Sequence, residues 1–220
     1  MPAQADFTPA LGSFGWTGLY DAALALGTRE RTWRRALLDL IDPRAGETIV
    51  DVGCGTGSLA VALKLRCPSA TVIGVDPDPQ VLTLAAAKAK AAGVSVEFRR
   101  GYARDAATIA SAVDVAVSSL VFHQTPVSEK RSGMIAMFGA VAPRGRVVIA
   151  DYARQSGLMR RLFGIIQAID GSVNTTPNAD GFLEAELSRL AGYEVSAGKA
   201  FRTPTGAISL FRVDIGGVLA

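Results

Sequence analysis

The stretch IVDVGCGTGSL, residues 49–59, constrains the fold of this chain more than any other feature. It begins with an apolar, β-branched run that predicts a short buried strand, formed by Ile49, Val50 and Val52. Three alternating glycines then let the backbone turn sharply and approach a ligand where a Cβ atom would collide: Gly53, Gly55 and Gly57. After the last glycine the apolar spacing becomes helical. The stretch therefore predicts a strand, a tight turn and a helix arranged as a nucleotide site.

The spacing of these glycines excludes two common nucleotide motifs. A dinucleotide fingerprint places its third glycine where this chain has Ser58, and Gly57 comes one residue early. A phosphate-binding P-loop ends in Lys-Ser or Lys-Thr, and no such pair follows. The ligand is therefore expected to be neither a dinucleotide nor a nucleoside triphosphate.

The string VDVGCGTG instead resembles motif I of class I S-adenosylmethionine (SAM) dependent methyltransferases. The resemblance implies that Asp51 faces the amino group of the methionyl moiety. It also implies that SAM lies along the loop residues Gly53, Cys54, Gly55 and Gly57. The alternative is a tight strand-to-helix turn with no ligand, and Cys54 is interpreted as a small loop residue, not a nucleophile.

Strand and helix patterns alternate along the rest of the chain, which predicts a parallel sheet covered by helices on both faces. Helices are predicted at about 16–41, 58–66, 80–92, 106–112, from Thr125 and Pro126 to 141, 156–169 and 178–192. Strands are predicted at 49–52, 71–76, 94–100, 113–122 and, after a turn at Pro143 and Gly145, 146–152. Two final strand-like runs, 193–201 and 208–215, flank a turn with Pro204 and Gly206.

The resemblance implies a Rossmann-like three-layer α/β sandwich: a mostly parallel seven-stranded sheet that ends in an antiparallel hairpin. With 220 residues the chain is long enough for one such domain. We expect a single methyltransferase domain over residues 1–220. Residues 1–45 would form an N-terminal helical cap, residues 46–151 the SAM-binding half, and residues 152–220 cap helices and the hairpin.

Further cofactor contacts are expected where the strands end, because ligands of open parallel sheets lie at the carboxyl ends of the strands. The strand over 71–76 ends in Asp76, a carboxylate suited to two ribose hydroxyls, before Pro77; a helix-capping role is the alternative, and Asp78 is the better cap. The next strand ends at Gly101, Tyr102 and Ala103, where relatives often have Gly-Asp-Ala. Tyr102 is therefore expected to stack on adenine and Ala103 to offer its backbone, while Asp105 either binds the adenine amine or caps a helix.

The strand over 113–122 ends at the position of motif IV, beside the methyl donor. Ser119 and Leu120 are expected to line the site there, together with the residues up to Phe122. The motif lacks the Asn or Asp followed by Pro-Pro-Tyr of many nucleic-acid methyltransferases, which favours small acceptors. His123, the sole histidine, is the candidate general base; the alternative is that its ring only binds a backbone carbonyl.

The N-terminal Tyr-Asp pair is similar to that of quinone-biosynthesis methyltransferases, in which an N-terminal helix covers the cofactor. The resemblance implies that Tyr20 reaches the methionyl carboxylate or the sulfonium, although a core aromatic is the alternative. Residues 156–169 carry an apolar face beside Arg160 and Arg161. It is interpreted as packing on the sheet, with a cap over a lipophilic acceptor or peripheral membrane contact as the alternative.

Composition narrows the remaining possibilities. Net charge is only +3 and the basic residues are scattered, which disfavours a nucleic-acid partner. No apolar run approaches a membrane span, and the N-terminus lacks the pattern of a secretory signal, so a cytoplasmic protein is expected. The two cysteines have no metal or disulfide spacing, and no metal site is expected. Oligomeric state is not readable from the sequence.

These observations predict SAM-dependent methyl transfer to a small acceptor by in-line displacement, the acceptor being lipophilic if the cap interpretation is right. Two alternatives stay open. One is a phospholipid headgroup N-methyltransferase, suggested by the apolar, mildly basic composition. The other is a non-catalytic SAM-binding or scaffold protein.

Overall fold

The structure is a computed structural model, and it describes residues 30–216 of the chain. Seven strands form one sheet: β1 (Thr48–Val52), β2 (Thr71–Asp76), β3 (Glu97–Arg100), β4 (Val113–Ser119), β5 (Val141–Tyr152), β6 (Lys199–Thr203) and β7 (Gly206–Asp214). The helices are α1 (Glu30–Ile41), α2 (Ser58–Arg66), α3 (Pro79–Ala91), α4 (Ala106–Ile109), α5 (Val127–Ala140), α6 (Gly157–Leu162), α7 (Gly164–Asp170), α8 (Ser172–Ala179) and α9 (Phe182–Ala191). Two 3₁₀ turns lie at Ala103–Asp105 and Phe122–Gln124. No helix within the described residues is long and apolar enough to cross a lipid bilayer.

The strands are ordered β3-β2-β1-β4-β5-β7-β6. Strands β1 to β5 pair in parallel, whereas β7 runs antiparallel to both β5 and β6. This confirms the predicted mostly parallel seven-stranded sheet with its C-terminal hairpin. The direction of winding changes between β1 and β4, so the carboxyl ends of these two strands border the crevice where such sheets bind ligands.

Two apolar cores cover the two faces of the sheet, as the alternation of strands and helices predicted. Side chains alternate between them along each strand: Ile49 belongs to one core, whereas Val50 and Val52 belong to the other. The core on the Ile49 side contains Trp33, Leu37 and Ile41 from α1, Leu59 and Leu63 from α2, and Phe163 and Ile166 from the C-terminal helices. The opposite core contains Met134 and Met137 from α5 and Leu183 and Leu187 from α9.

Local sequence signals set several element boundaries as predicted. The Asp78 side chain caps α3 by accepting a hydrogen bond from the Gln80 amide at 2.8 Å. Gly192 ends α9 in the left-handed conformation. Helix α2 and strand β2 have the predicted bounds. The part of the predicted N-terminal helix before residue 30 lies outside the described residues.

Other boundaries were predicted wrongly. The turn expected at Pro143 and Gly145 is an irregularity within β5 and not a break before it: Val113 and Val115 of β4 pair with Val141 and Arg146, and Arg144 between them adopts a positive φ of 71°. Thr125 does not cap α5: its hydroxyl bonds the Phe122 carbonyl at 3.3 Å. Strand β4 stops at Ser119 instead of 122.

The C-terminal helical region is also more divided than the sequence suggested. The single helix expected over 156–169 is two short helices, α6 and α7, that meet at Phe163. Helix α8 was not predicted, because Gly171 and Pro177 resemble loop signals there. Gly171, with a φ of 82°, separates α7 from α8. The four helices α6 to α9 form the segment 157–191, which is called the cap below.

Candidate active site

The glycine loop after β1 is anchored on the neighbouring strand. The amides of Gly53 and Cys54 both donate to the Val75 carbonyl of β2, at 2.8 and 3.0 Å. The Cys54 side chain is buried, and burial raises the pKa of its thiol. A neutral buried thiol is a packing group, which is consistent with its predicted role as a small loop residue.

The three glycines have positive φ values of 73°, 51° and 75°, but they serve different purposes. A Cβ atom on Gly53 would come within 2.4 Å of Val121, and one on Gly57 within 2.9 Å of Ala85. One on Gly55 would meet no atom within 4 Å in the part of the chain described. Gly53 and Gly57 are therefore required for close packing, whereas Gly55 faces free space in which a ligand can lie.

Asp51 lies at the end of β1 and is fully buried. Neither of its carboxylate oxygens makes a hydrogen bond within residues 30–216. Burial is the main reason why its pKa rises to about 7, and the nearby Asp76 carboxylate raises it further. The charge of Arg34 opposes the rise, as does the Ala60 amide, although that amide does not reach hydrogen-bonding geometry. A buried acid without partners is costly, which marks a place where a cationic donor is missing.

Asp76 ends β2 on the other side of Gly55. One oxygen accepts the Gly55 amide at 2.9 Å and the other accepts the Asp78 amide at 3.0 Å. Burial raises the pKa of this carboxyl, and the two amides oppose the rise. A carboxylate has about four acceptor positions, so two remain for ribose hydroxyls. Pro77 follows, and its carbonyl accepts a hydrogen bond from the Arg100 guanidinium at 3.2 Å.

The three residues predicted near adenine follow β3. The Gly101 amide bonds the Asp76 carbonyl at 3.1 Å, which places this turn beside the ribose-side acid. The Tyr102 ring lies under the Arg104 guanidinium, 4.1 Å from the ring centroid, so one face of the ring is covered. Ala103 packs against Gly133 of α5. Asp105 accepts the Tyr102 amide at 2.9 Å, which is the capping alternative.

Ser119 and Leu120 lie partly exposed where β4 ends. Leu120 has a φ of 58°, which a non-glycine residue seldom adopts, and this conformation turns the chain out of the sheet. Phe122, predicted to line the site, is instead fully buried in the core against α5. The residues after β4, Leu120–Gln124, are called the β4 turn. Leu120 and Val121 at its start are partly exposed like Ser119 before them, whereas Phe122 and His123 are buried.

His123 lies between two carboxylates that the sequence analysis did not identify. Its Nδ1 is 2.7 Å from Asp151 Oδ1 in β5, and its Nε2 is 3.4 Å from Asp170 Oδ2 in α7. Burial opposes its charge, but the two acids outweigh burial and raise its pKa to about 9. The predicted alternative, a bond to a backbone carbonyl, is not what the ring makes. As a general base, His123 would first have to lose a proton and its contact with Asp170, so that role stays a prediction.

Asp151 is the centre of this cluster. Its Oδ2 accepts hydrogen bonds from three consecutive amides, those of Val121, Phe122 and His123, at 3.1, 2.7 and 3.3 Å. Lys130 of α5 is fully buried nearby and donates to the Phe122 carbonyl; burial lowers its pKa to about 8, and Asp151 opposes this. Asp151 follows the apolar run VVIA, and an acid after a buried strand was the signal that could have identified it.

The predicted apolar face of residues 156–169 is divided between two directions. Phe163 and Ile166 point inward and are buried, whereas Leu158, Ile165 and Ile169 are 65%, 48% and 64% exposed. The interpretation as plain packing is therefore correct for only part of the cap. Tyr20, the remaining predicted contact, lies outside the described residues.

The described site residues fit SAM on three counts. The orphaned Asp51 carboxylate matches an ammonium group, and Asp76 keeps acceptor positions for a diol. Gly55, between them, leaves room for the ligand. Asp51, Asp76 and the glycine loop are thus brought together at one edge of the sheet, with Gly101 beside Asp76 and the β4 turn beside Gly53.

Comparisons with known proteins agree with this geometry. Residues 49–145 match a family model described as a methyltransferase domain. No curated protein sequence matches the chain. Among solved structures, magnesium protoporphyrin IX methyltransferase from Synechocystis PCC 6803, with bound SAH, is similar at a TM-score of 0.65 and 17% identity, over 93% of this chain and 89% of that one.

Two further structures show the same fold. An O-methyltransferase family protein from Burkholderia thailandensis has a TM-score of 0.66 and 20% identity over 89% of this chain and 58% of its own. A SAM-dependent methyltransferase from Aquifex aeolicus has a TM-score of 0.59 and 16% identity over 90% and 96%. The family match thus covers β1 to the start of β5, and the sheet that continues through the hairpin has the fold that these methyltransferase structures share.

Proposed function

We propose that the chain transfers the methyl group of SAM to a small-molecule acceptor at the carboxyl ends of β1, β2 and β4. The observation that carries this proposal is the pair of buried acids on either side of Gly55. Asp51 has no hydrogen-bond partner in the described chain, and Asp76 has unused acceptor positions. Bound there, SAM supplies an electrophilic methyl group on a sulfonium for in-line displacement.

The predicted cofactor contacts are proposed to divide the ligand among them. Asp51 binds the methionyl ammonium, and Asp76 binds the ribose hydroxyls. The loop residues Gly53, Cys54, Gly55 and Gly57 form the floor under the ligand. The adenine side is formed by Pro77, Gly101, Tyr102 and Ala103, and the methyl side by Ser119 and Leu120. Tyr20 is proposed, from the sequence alone, as a cover over the methionyl end.

The contribution of the protein to such a displacement is mainly alignment. Holding donor and acceptor in a near-attack geometry can lower the barrier by ~7 to 11 kcal/mol. The β4 turn is suited to this because Asp151 fixes three of its amides.

The cap supports a lipophilic acceptor. Leu158, Ile165 and Ile169 are exposed apolar side chains on the segment that follows β5, where the sheet edge carries the site. A porphyrin methyltransferase and an O-methyltransferase family protein are among the similar folds. The same exposed side chains, next to Arg160 and Arg161, favour phospholipid headgroup N-methylation as the second candidate.

Calorimetric titration with SAM and its demethylated product SAH tests the cofactor site. We expect the variant Asp76→Asn to weaken SAM binding by about 10- to 100-fold, because an amide cannot accept from both backbone amides and both hydroxyls. Asp78→Asn is the matched control, since asparagine caps a helix as well as aspartate and SAM binding should be unchanged. Equal affinities in all three proteins would contradict the assigned site.

A screen for methyl transfer then tests the acceptor. The panel comprises quinols, phenols, thiols, amines and vesicles containing phosphatidylethanolamine, each supplied with SAM labelled in the methyl group. Transfer to a soluble small molecule supports the proposal, and transfer to the vesicles alone supports the phospholipid candidate. Tight SAM binding with no transfer in any case would contradict both and favour a scaffold.

A further inference from the structure

We propose that Asp170 is a positioning residue for methyl transfer: through the imidazole of His123 it fastens the cap to the β4 turn. The turn is thereby held beside the methyl donor. The proposal rests on the proposed function, because it assigns the β4 turn to the methyl side of the site. It gives His123 a structural task in place of the predicted task of general base.

The first observation behind this proposal is the position of the His123 ring between two carboxylates. Nδ1 faces an oxygen of Asp151 at 2.7 Å and Nε2 faces an oxygen of Asp170 at 3.4 Å. Carboxylate oxygens only accept hydrogen bonds, so Nδ1 carries a proton, and the second carboxylate, at ion-pair distance from Nε2, favours the charged ring with a proton on that nitrogen as well. The three side chains are 7%, 1% and 13% exposed. The cluster is therefore a buried ionic triad that joins the β4 turn, β5 and α7.

Every charged group that faces the ring fits this assignment. Asp151 lies on β5 and Asp170 on α7, and Lys130 on α5 interacts electrostatically with Asp151. Tyr152 packs edge-on against the imidazole, with ring centroids 5.1 Å apart. Two acids and two cations give a neutral cluster when His123 is charged. Loss of its proton would leave one buried negative charge uncompensated, which is costly.

Beyond its first residue, the β4 turn is held by side chains and not by a neighbouring strand. The amide of the left-handed Leu120 bonds the Ala150 carbonyl of β5 at 2.8 Å, whereas the next three amides all bond the Asp151 carboxylate. The cap reaches the turn at two polar points, Asp170 on His123 and Asn174 on the Gln124 carbonyl at 3.0 Å. Removal of the Asp170 charge should therefore loosen the cap from the turn without touching the acids that bind SAM.

The two roles of His123 predict opposite pH profiles. A general base works only after it has lost its proton, so turnover would rise with pH through the pKa of the ring. A positioning cation works only while it is protonated, so turnover should fall as pH rises through about 9. In Asp170→Asn that fall should begin at lower pH, because one of the two stabilising carboxylates is gone.

The chain contains one histidine, so nuclear magnetic resonance of ¹⁵N-histidine-labelled protein reports His123 alone. We expect both ring nitrogens to be protonated at pH 7. We expect the titration midpoint to fall by roughly one unit or more in Asp170→Asn. Asp180→Asn is the matched control, because Asp180 pairs with Arg160 in the same cap at 2.8 Å but is largely exposed. A ring that titrates near 6.5, or a midpoint that Asp170→Asn does not move, would overturn the proposal.

Amide hydrogen exchange and kinetics complete the test. The backbone amides of residues 164–170 should exchange faster in Asp170→Asn than in the wild type or in Asp180→Asn. It should lower kcat at least tenfold at pH 8, with SAM affinity changed less than threefold, and Asp170→Glu should restore part of kcat. An unchanged kcat, or turnover that rises as the ring loses its proton, would overturn the positioning role. Absence of SAM binding in the wild type would instead refute the proposed function, while the resonance measurement still decides the triad.

Discussion

Asp51 and Asp151 are both fully buried acids of central strands, at the same edge of the sheet, and they differ in what surrounds them. Asp51 has no hydrogen-bond partner within the described residues, whereas Asp151 accepts three amides of the β4 turn and the ring of His123. A buried carboxylate without partners lowers stability unless a ligand completes it. A saturated one organises the chain around it. The comparison separates a binding group from a structural group among residues of the same type.

The two regions also differ in the kind of charge they can accept. Around Asp51 and Asp76 the described chain leaves an excess of acceptors, which suits an ammonium and hydroxyl groups. Around Asp151 the acids are matched by His123 and Lys130. In the proposed function SAM completes the first region, whereas the second is complete without it.

The largest effect is expected at the saturated acid. Asp151→Ala should lower the free energy of unfolding by ~3 to 5 kcal/mol, because it leaves a buried histidine and four amides, the fourth being that of Tyr152, without their partner. Urea unfolding followed by circular dichroism measures it. Asp114→Ala is the control: Asp114 accepts a single amide, that of Thr48, at 2.8 Å, and its loss should cost about 1 kcal/mol. Equal losses in the two variants would remove the distinction between a saturated acid and an ordinary one.

At the unpartnered acid the expected change has the opposite sign. Asp51→Asn should raise the free energy of unfolding of the ligand-free protein by ~1 to 3 kcal/mol at pH 8, since the buried charge is gone. SAM affinity should fall ~10- to 100-fold with the loss of a charge-assisted hydrogen bond. Thermal unfolding with and without SAM shows both effects in one experiment. Asp76→Asn, whose acid is satisfied by two amides, should instead lose stability.

The pH dependence of stability sharpens the same prediction. Burial, with a smaller effect of Asp76, raises the pKa of Asp51 from 3.8 to about 7, so the folded state keeps a proton that the unfolded chain has lost. The stability from this proton is fully present below 3.8 and is lost as pH rises through 7. The free energy of unfolding should therefore decrease by up to about 1.4 kcal/mol per pH unit in this range. A wild type as insensitive to pH as Asp51→Asn would contradict the shift.

The smallest effect is expected at Gly55, and Gly57 of the same loop is its comparison. Gly57→Ala should lower stability by ~2 to 3 kcal/mol, because a Cβ atom would meet Ala85 at 2.9 Å in addition to the strain of a positive φ. Gly55→Ala carries the strain alone and should cost ~1 kcal/mol, yet it should weaken SAM binding more than its effect on stability explains. If the two variants are equally stable, packing is not what distinguishes the two glycines.

The sequence predicted the region around Asp51 well because its signals are local. The strand, the glycine turn, α2, β2 and the Asp78 cap all follow from neighbouring residues, and their bounds were predicted to within a few residues. The region around Asp151 was predicted poorly because its contacts are distant. His123 and Asp151 are 28 residues apart, and Asp170 belongs to a helix that sequence patterns merged with α6. The positive φ value of Leu120 also has no signal in the residues beside it, which are Ser119 and Val121.

The most direct test of the account is the structure of this protein in complex with SAH. The account predicts density along the glycine loop at Gly55, with the ligand ammonium within about 3 Å of an Asp51 oxygen and the ribose hydroxyls at the same distance from Asp76. The His123 ring should keep its contacts with Asp151 and Asp170 in that complex. Density at another edge of the sheet, or SAH bound with Asp51 still unpartnered, would contradict it.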